Sequence, residues 1–160
     1  MIVIADTTPL NYLVLIEQSE ILPQLYHRVF IPPAVGEEFQ RPETPPAVRA
    51  WIAQPPTWLE IRRVERRPEP ALRNLGAGER EAIALAEELH ADRLIMDDRA
   101  ARRVATQRKL TVIGTLGVLV EAAERGLVDL PDAIARLQQT TFYVSPEVVE
   151  PLLRRYRTKS

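Results

Sequence analysis

The stretch MIVIADTTPLNYLVLI, residues 1–16, sets a short apolar run directly against Asp6, two threonines and a proline. Residues 1–5 are rich in β-branched side chains and suit a short buried strand. Thr8-Pro9 reads as an N-cap followed by proline at the first helical position. A helical pattern then places Leu10, Leu13, Val14 and Leu15 among polar residues, and Ile21, Leu22 and Leu25 continue it. With Thr8 as the cap, Asp6 is left at the tip of a strand with no local task.

The same alternation recurs along the chain. RVFIPP (28–33) is a second short strand ended by prolines, and AVGEEF (34–39) starts another helix. A proline-rich region from Arg41 to Pro70 contains Trp51 and Trp58, with a short helix expected at 46–53 and a strand at 58–64. NLGAGEREAIALAEELH (74–90) is a glycine-punctuated entry into a strong helix. RLIMDD (93–98) is a buried strand, RAARRVATQRKL (99–110) a basic helix, and TVIGT (111–115) a further strand. Helices over 116–124, 131–139 and 147–156 complete the chain. Strands alternating with helices imply crossover connections, hence an α/β fold in which helices cover both faces of a mostly parallel central sheet. The expected organisation is a single domain over 1–160, with the helices of 131–156 as an extension.

Composition narrows the function classes. At 160 residues and 46% hydrophobic, the chain can bury a core, which excludes a disordered binder. With 21 basic and 22 acidic side chains, global charge favours no partner; only local clusters can. The absence of cysteine removes disulfides, thiol nucleophiles and cysteine-based zinc sites. The opening apolar run is too short for a signal peptide and no segment could span a bilayer, so a soluble cytoplasmic protein is expected.

Binding sites in parallel sheets form beyond the carboxyl ends of the strands. Asp6 follows the first strand there, and Asp97 and Asp98 follow RLIM; Thr115 holds the equivalent place after TVIG. An aspartate between strand and helix is commonly an N-cap, and Asp98 is well placed to be one. Recurrence at two strand tips favours a shared site if those strands are neighbours. Glu79 shares a helical face with Ala82, Ile83 and Ala86, so it should point inward, while Arg80, Glu81, Glu87 and Glu88 meet water. Glu38 and Glu37 both lie beside the Val35–Phe39 pair, and helical phase does not choose between them. Several carboxylates in one pocket raise one another's pKa unless a cation neutralises them. All-oxygen ligands favour Mg²⁺ or Mn²⁺ over zinc, and such an ion can position phosphate and activate water. His27 and His90 fit ordinary helix-end roles rather than an acid–base pair.

Taken in order, VIADTTPLNYL, IPPAVGEEF, GAGEREAIALA, LIMDDRAARRVA and VIGTLGVLVEA resemble the PIN-domain superfamily, in particular a prokaryotic branch related to VapC-type toxins. The likeness covers about residues 1–125. It implies a three-layer α/β/α fold and hydrolysis of single-stranded RNA with Mg²⁺ or Mn²⁺. Matched motif by motif, it implies catalytic roles for Asp6, Glu38, Glu79 and Asp98, with Asp6, Glu79, Asp98 and Asp97 as metal ligands. It selects Glu38 over Glu37, and it places Thr7 or Thr8 and Thr115 near the site. It also implies a small antitoxin as partner and a homodimer. Two residues depart from the family pattern: Glu79 stands where an aspartate is usual, and Met96 where many relatives carry a hydroxyl.

Arg99, Arg102 and Arg103, with Arg108 and Lys109, would hold an RNA backbone beside the acids, and Arg62, Arg63, Arg66 and Arg67 form a second basic cluster. Trp51 and Trp58 fit core packing better than base stacking. The expected reaction is in-line attack of water on phosphorus, leaving a 5′-phosphate and a 3′-hydroxyl. A PIN-like module that binds RNA or protein without cleavage is the competing class. An aspartyl-phosphate phosphatase is disfavoured, because position 8 holds threonine where that chemistry wants a second acid.

Overall fold

Five runs of apolar residues become strands: β1 (Val3–Ala5), β2 (Val29–Ile31), β3 (Leu59–Ile61), β4 (Arg93–Ile95) and β5 (Val112–Ile113). In the computed structural model, which describes residues 1–66 and 69–157, they form one sheet in the order β3-β2-β1-β4-β5. Every pairing is parallel. The chain runs outward from β1 to β3, then crosses back to place β4 on the other side of β1. That reversal opens a crevice beyond the carboxyl ends of β1 and β4. The register sets Val3 beside Arg93, Ile4 beside Leu94 and Ala5 beside Ile95. Asp6 continues the ladder by donating its N–H to the Ile95 carbonyl at 2.9 Å.

Side-chain alternation divides the core into two layers. Val3, Ala5, Val29, Ile31 and Ile95 face α1 (Thr7–Leu15), α2 (Ile21–Tyr26), α4 (Pro46–Ala53), α7 (Thr115–Glu124), α8 (Leu130–Gln138) and α9 (Pro146–Arg157). Ile4, Phe30, Leu94 and Met96 face α5 (Ala77–Glu88) and α6 (Arg99–Gln107). The arrangement is the expected α/β/α sandwich, and β1 and β4 are neighbours as the aspartates required. A further helix, α3 (Pro33–Glu38), packs against α5 beside the crevice. No helix among the described residues is long and apolar enough to cross a membrane.

Local departures have local causes. Helix α1 starts at Thr7, so Asp6 rather than Thr8 occupies the N-cap position, and Pro9 falls in the first turn. The chain does not continue from α1 into Ile21; Glu17 takes a positive φ of 60° and breaks the helix before α2. The strand expected at 58–64 contracts to Leu59–Ile61, and α6 stops at Gln107, where Lys109 turns at φ 67°. A short 3-10 turn at Pro70–Leu72, not expected from the sequence, buries Leu72 under the α5 layer. Trp51 and Trp58 pack on each other at 6.0 Å, with Phe39 edge-on to Trp51 at 6.4 Å. They belong to the core, as their context suggested. His27 and His90 are exposed positive-φ residues at helix ends.

Ile83 is fully buried between α5 and the sheet. Its replacement by alanine is expected to cost ~2–5 kcal/mol in urea unfolding, from lost burial and the cavity left behind. A cost below ~1 kcal/mol would contradict the packing of α5 on this face.

Candidate active site

Asp6 lies at the floor of the crevice, 4% exposed. It holds the N-cap position of α1 but makes no side-chain cap bond, and its Oδ1 is buried with no hydrogen-bond partner among the described residues. Burial pushes its carboxyl up from 3.8 to about 7; Glu79, Glu38 and Asp97 add to the rise, against a lowering hydrogen bond from the Thr7 backbone. The influence of three distant acids on one group shows that the fold has gathered them.

Each of the others is held by a helix start. Glu38, the last residue of α3, accepts Thr7 Oγ1 at 2.5 Å and the Gly78 N–H at 3.0 Å. Its carboxylate therefore joins the N-termini of α1 and α5, where exposed N–H groups favour negative charge. A Cβ on Gly78 would come within 2.6 Å of Glu38 Oε1, so this approach requires glycine. Glu37 is exposed, whereas Glu38 is the one of the pair that bonds across to α1 and α5. Glu79 reaches back to accept the Gly76 N–H at 3.1 Å. Burial raises the pKa of Glu79 most, and Asp98 and Glu38 raise it further.

Asp97 accepts both the N–H and the hydroxyl of Thr115, at 2.8 and 2.6 Å. Thr115 is fully buried and acts as a brace for Asp97. Burial raises the Asp97 carboxyl, while the Thr115 bonds and the charge of Arg102 lower it. Asp98 is exposed and caps α6, accepting the Ala101 N–H at 2.9 Å. Its capping role is thus realised alongside its nearness to Glu79.

Some expected residues stand elsewhere. Thr8 is exposed and bonds to none of these acids; Thr7 alone of the pair joins the cluster. Arg99 and Arg102 line a groove that adjoins the crevice at Asp97, whereas Arg103 is exposed and lies outside that groove. Arg62 lies over the Phe30 ring at 5.2 Å, away from the acids, and Arg67 falls outside the described residues. Glu81, Glu87 and Glu88, expected to meet water, accept bonds from Ala34 N–H, Arg108, and the backbone of Glu65 and Arg66. Glu81 thereby ties α3 to α5. The bracing roles of Gly78 and Thr115 followed from no spacing rule, because both depend on contacts between distant segments.

The oxygen-only donor set and the unpartnered Asp6 Oδ1 fit a hard divalent cation better than zinc or copper. Among the described residues, however, no group of three acidic or histidine side chains is already drawn together tightly enough to hold one ion. Glu38, Glu79, Asp97 and Asp98 instead accept bonds from backbone N–H groups and threonine hydroxyls.

The PIN-domain family model matches residues 2–158, and the chain belongs to that family. PIN domains are in general nucleases that use divalent metals. Comparison with curated proteins returns no match.

Two stability measurements follow from this geometry. The raised Asp6 pKa means that the folded chain holds an extra proton between pH ~4 and ~7, so stability falls as pH rises through that window. In metal-free buffer Asp6→Asn should therefore stabilise the fold by a few kcal/mol at pH 8, on the order of the pKa shift. The gain should shrink steadily as pH falls toward 4. A pH-independent difference in unfolding free energy would show that Asp6 carries no burial strain. Gly78→Ala should destabilise by ~1–3 kcal/mol in denaturant, because its methyl group displaces the Glu38 carboxylate from the α5 N-terminus.

Proposed function

We propose that the protein is a metal-dependent endoribonuclease hydrolysing phosphodiester bonds of single-stranded RNA, and that it is the toxin of a toxin–antitoxin pair. The observation that carries this reading is Asp6, buried with one oxygen unpartnered among the described residues, its pKa raised by burial and by the nearby carboxylates of Glu79, Glu38 and Asp97. A buried carboxylate with one oxygen left unpartnered, at the switch point of a parallel sheet, costs stability, which favours a chemical role over a structural one. Family membership supports the nuclease class; RNA as substrate, the metal and the antitoxin are this reading's own additions.

Asp6, Glu79 and Asp98 would hold Mg²⁺ or Mn²⁺, with Asp97 beside them. When bound, the ion supplies charge neutralisation, a template for phosphate and acidification of water. The chain's own residues do the remainder. Glu38 locks the starts of α1 and α5 together, so Asp6 and Glu79 keep a fixed relation. Thr115 fixes Asp97. Arg99 and Arg102 provide positive charge where a polyanion must approach a nest of acids, which gives binding a salt dependence. A small antitoxin would obstruct the crevice, and the protein would pair as a homodimer.

A second reading, a PIN-like module that binds RNA or protein without cleaving, is favoured by one observation. Glu38, Glu79, Asp97 and Asp98 all accept hydrogen bonds from the protein itself. Purified wild-type protein, Asp6→Asn and Asp98→Asn separate the two on a single-stranded RNA with Mn²⁺. Cleavage by wild type, reduced ~100-fold or more in both variants, is expected, since even outer partners of metal ligands cost 10–100-fold. Mn²⁺ should also raise the Tm of the wild type and not of Asp6→Asn. Equal cleavage by all three proteins would indicate a contaminating nuclease, and RNA binding without cleavage would favour the module.

A further inference from the structure

Beside the acids, a groove of about 600 Å³ runs along the β5 edge of the sheet toward α9. That volume suits a small-molecule-sized occupant of ~300–1,000 Å³. The groove's lining joins the polar side chains of Asp97, Arg99 and Arg102 to apolar ones such as Ile113 and Leu116 and to Tyr143. The groove is therefore continuous with the acidic crevice through Asp97. Arg99 and Arg102 are exposed and form no salt bridge among the described residues.

Tyr143 is 81% exposed, the most exposed large hydrophobic residue of the described chain. The loop that carries it is nonetheless pinned on its N-terminal side. Thr140 Oγ1 donates to the Leu137 carbonyl at 2.6 Å and accepts the Phe142 N–H at 3.1 Å. Thr141 pairs its hydroxyl with Tyr12 OH at 2.7 Å, and the Phe142 ring stands edge-on to Tyr12 at 5.0 Å. After Phe142 the chain enters α9 at Pro146. Three consecutive residues are thus anchored and the fourth presents its ring to water. The backbone leading into Tyr143 is restrained before any ligand arrives, which lowers the ordering cost of binding there.

We propose that this groove is a nucleotide subsite, in which Tyr143 stacks on a base of the strand whose phosphates pass Arg99 and Arg102. The inference rests on the ribonuclease reading above and says where its substrate lies. Two features favour a nucleotide over a peptide or a second protein copy. The arginines stand at the acidic end, where a polyanion needs counter-charge to come near Asp6, Asp97 and Asp98. Tyr143 lines the same groove as the arginines and offers an exposed aromatic face to a base that follows its phosphate. Stacking is tolerant of base identity, because every base offers a π-face.

Fluorescence anisotropy of a short labelled single-stranded RNA of mixed sequence, in EDTA so that no cleavage occurs, tests the subsite. Tyr143→Ala should weaken binding at least ~10-fold, within the range of one lost base–aromatic stack. Tyr143→Phe should restore it, and the salt dependence should stay that of the wild type, since no phosphate contact is lost. Arg102→Ala should instead flatten the salt dependence. Unchanged Tm in Tyr143→Ala would exclude a folding effect. Wild-type affinity in Tyr143→Ala, with Mn²⁺-dependent cleavage intact in the wild type, would overturn the subsite while leaving the nuclease reading standing. If Tyr143→Ala instead alters the oligomeric state with RNA affinity unchanged, the groove is a protein interface and the proposal fails. Absence of both RNA binding and cleavage in the wild type would remove the nuclease reading and the subsite with it.

Discussion

The parallel pairing of β1 with β4 is the constraint on which the rest of this molecule depends. It joins the first residues of the chain to a segment far along it, and the Asp6 N–H to Ile95 bond carries the ladder to its last rung. Beyond that rung the two strands have nothing further to pair. Asp6 follows β1 directly, Asp97 and Asp98 follow β4 after the buried Met96, and the topology leaves an open crevice above them. Without this pairing Asp6 would be a strand-ending aspartate and Asp98 a helix cap.

Gathering several carboxylates in a partly buried place is costly, and the helices are arranged to offset the cost. The starts of α5, α6 and α7 each offer N–H groups to one acid: Gly78 to Glu38, Ala101 to Asp98, Thr115 to Asp97. These are groups that the helix itself leaves unpaired, so the acids stabilise the helix ends while the helix ends stabilise the acids. Asp6 is the most deeply buried of these acids and its Oδ1 has no partner among the described residues; burial, against a lowering bond from the Thr7 backbone, pushes its carboxyl up to about 7. Burial raises the carboxyls of Glu79 and Asp97 as well, but only Asp6 keeps a buried carboxylate oxygen with no partner among the described residues, and that distinguishes this crevice from an ordinary set of helix caps.

The same helix ends make the site rigid. Glu38 ties α1, α3 and α5 together through two bonds, and Glu81 adds a second tie between α3 and α5. On the other side Thr115 joins β4 to α7 through Asp97, close to the groove that Tyr143 lines. The groove and the acidic crevice thus share Asp97, which Thr115 braces.

Much of this was legible in the chain itself. Short β-branched runs separated by helical periodicities specified a parallel α/β sandwich, because a strand buried on both faces must be apolar throughout and its connections must cross over. Asp6, Asp97 and Asp98 were visible as acids at strand tips, and Glu79 by its place on the apolar face of α5. Where sequence reasoning erred, the deciding energies were non-local. Thr8 had the right chemistry for a cap, yet the strand–helix junction closed one residue earlier, and Thr7 turned toward Glu38 instead. Helical phase gave Glu37 and Glu38 equal standing until α5 packed against α3. Periodicity and strand-end chemistry are properties of neighbouring residues, so the sequence by itself determined the layers and the candidate acids. Which oxygens meet, which are satisfied, and which one stays buried and unpartnered depend on contacts between segments far apart in the chain, and only the tertiary structure decided them.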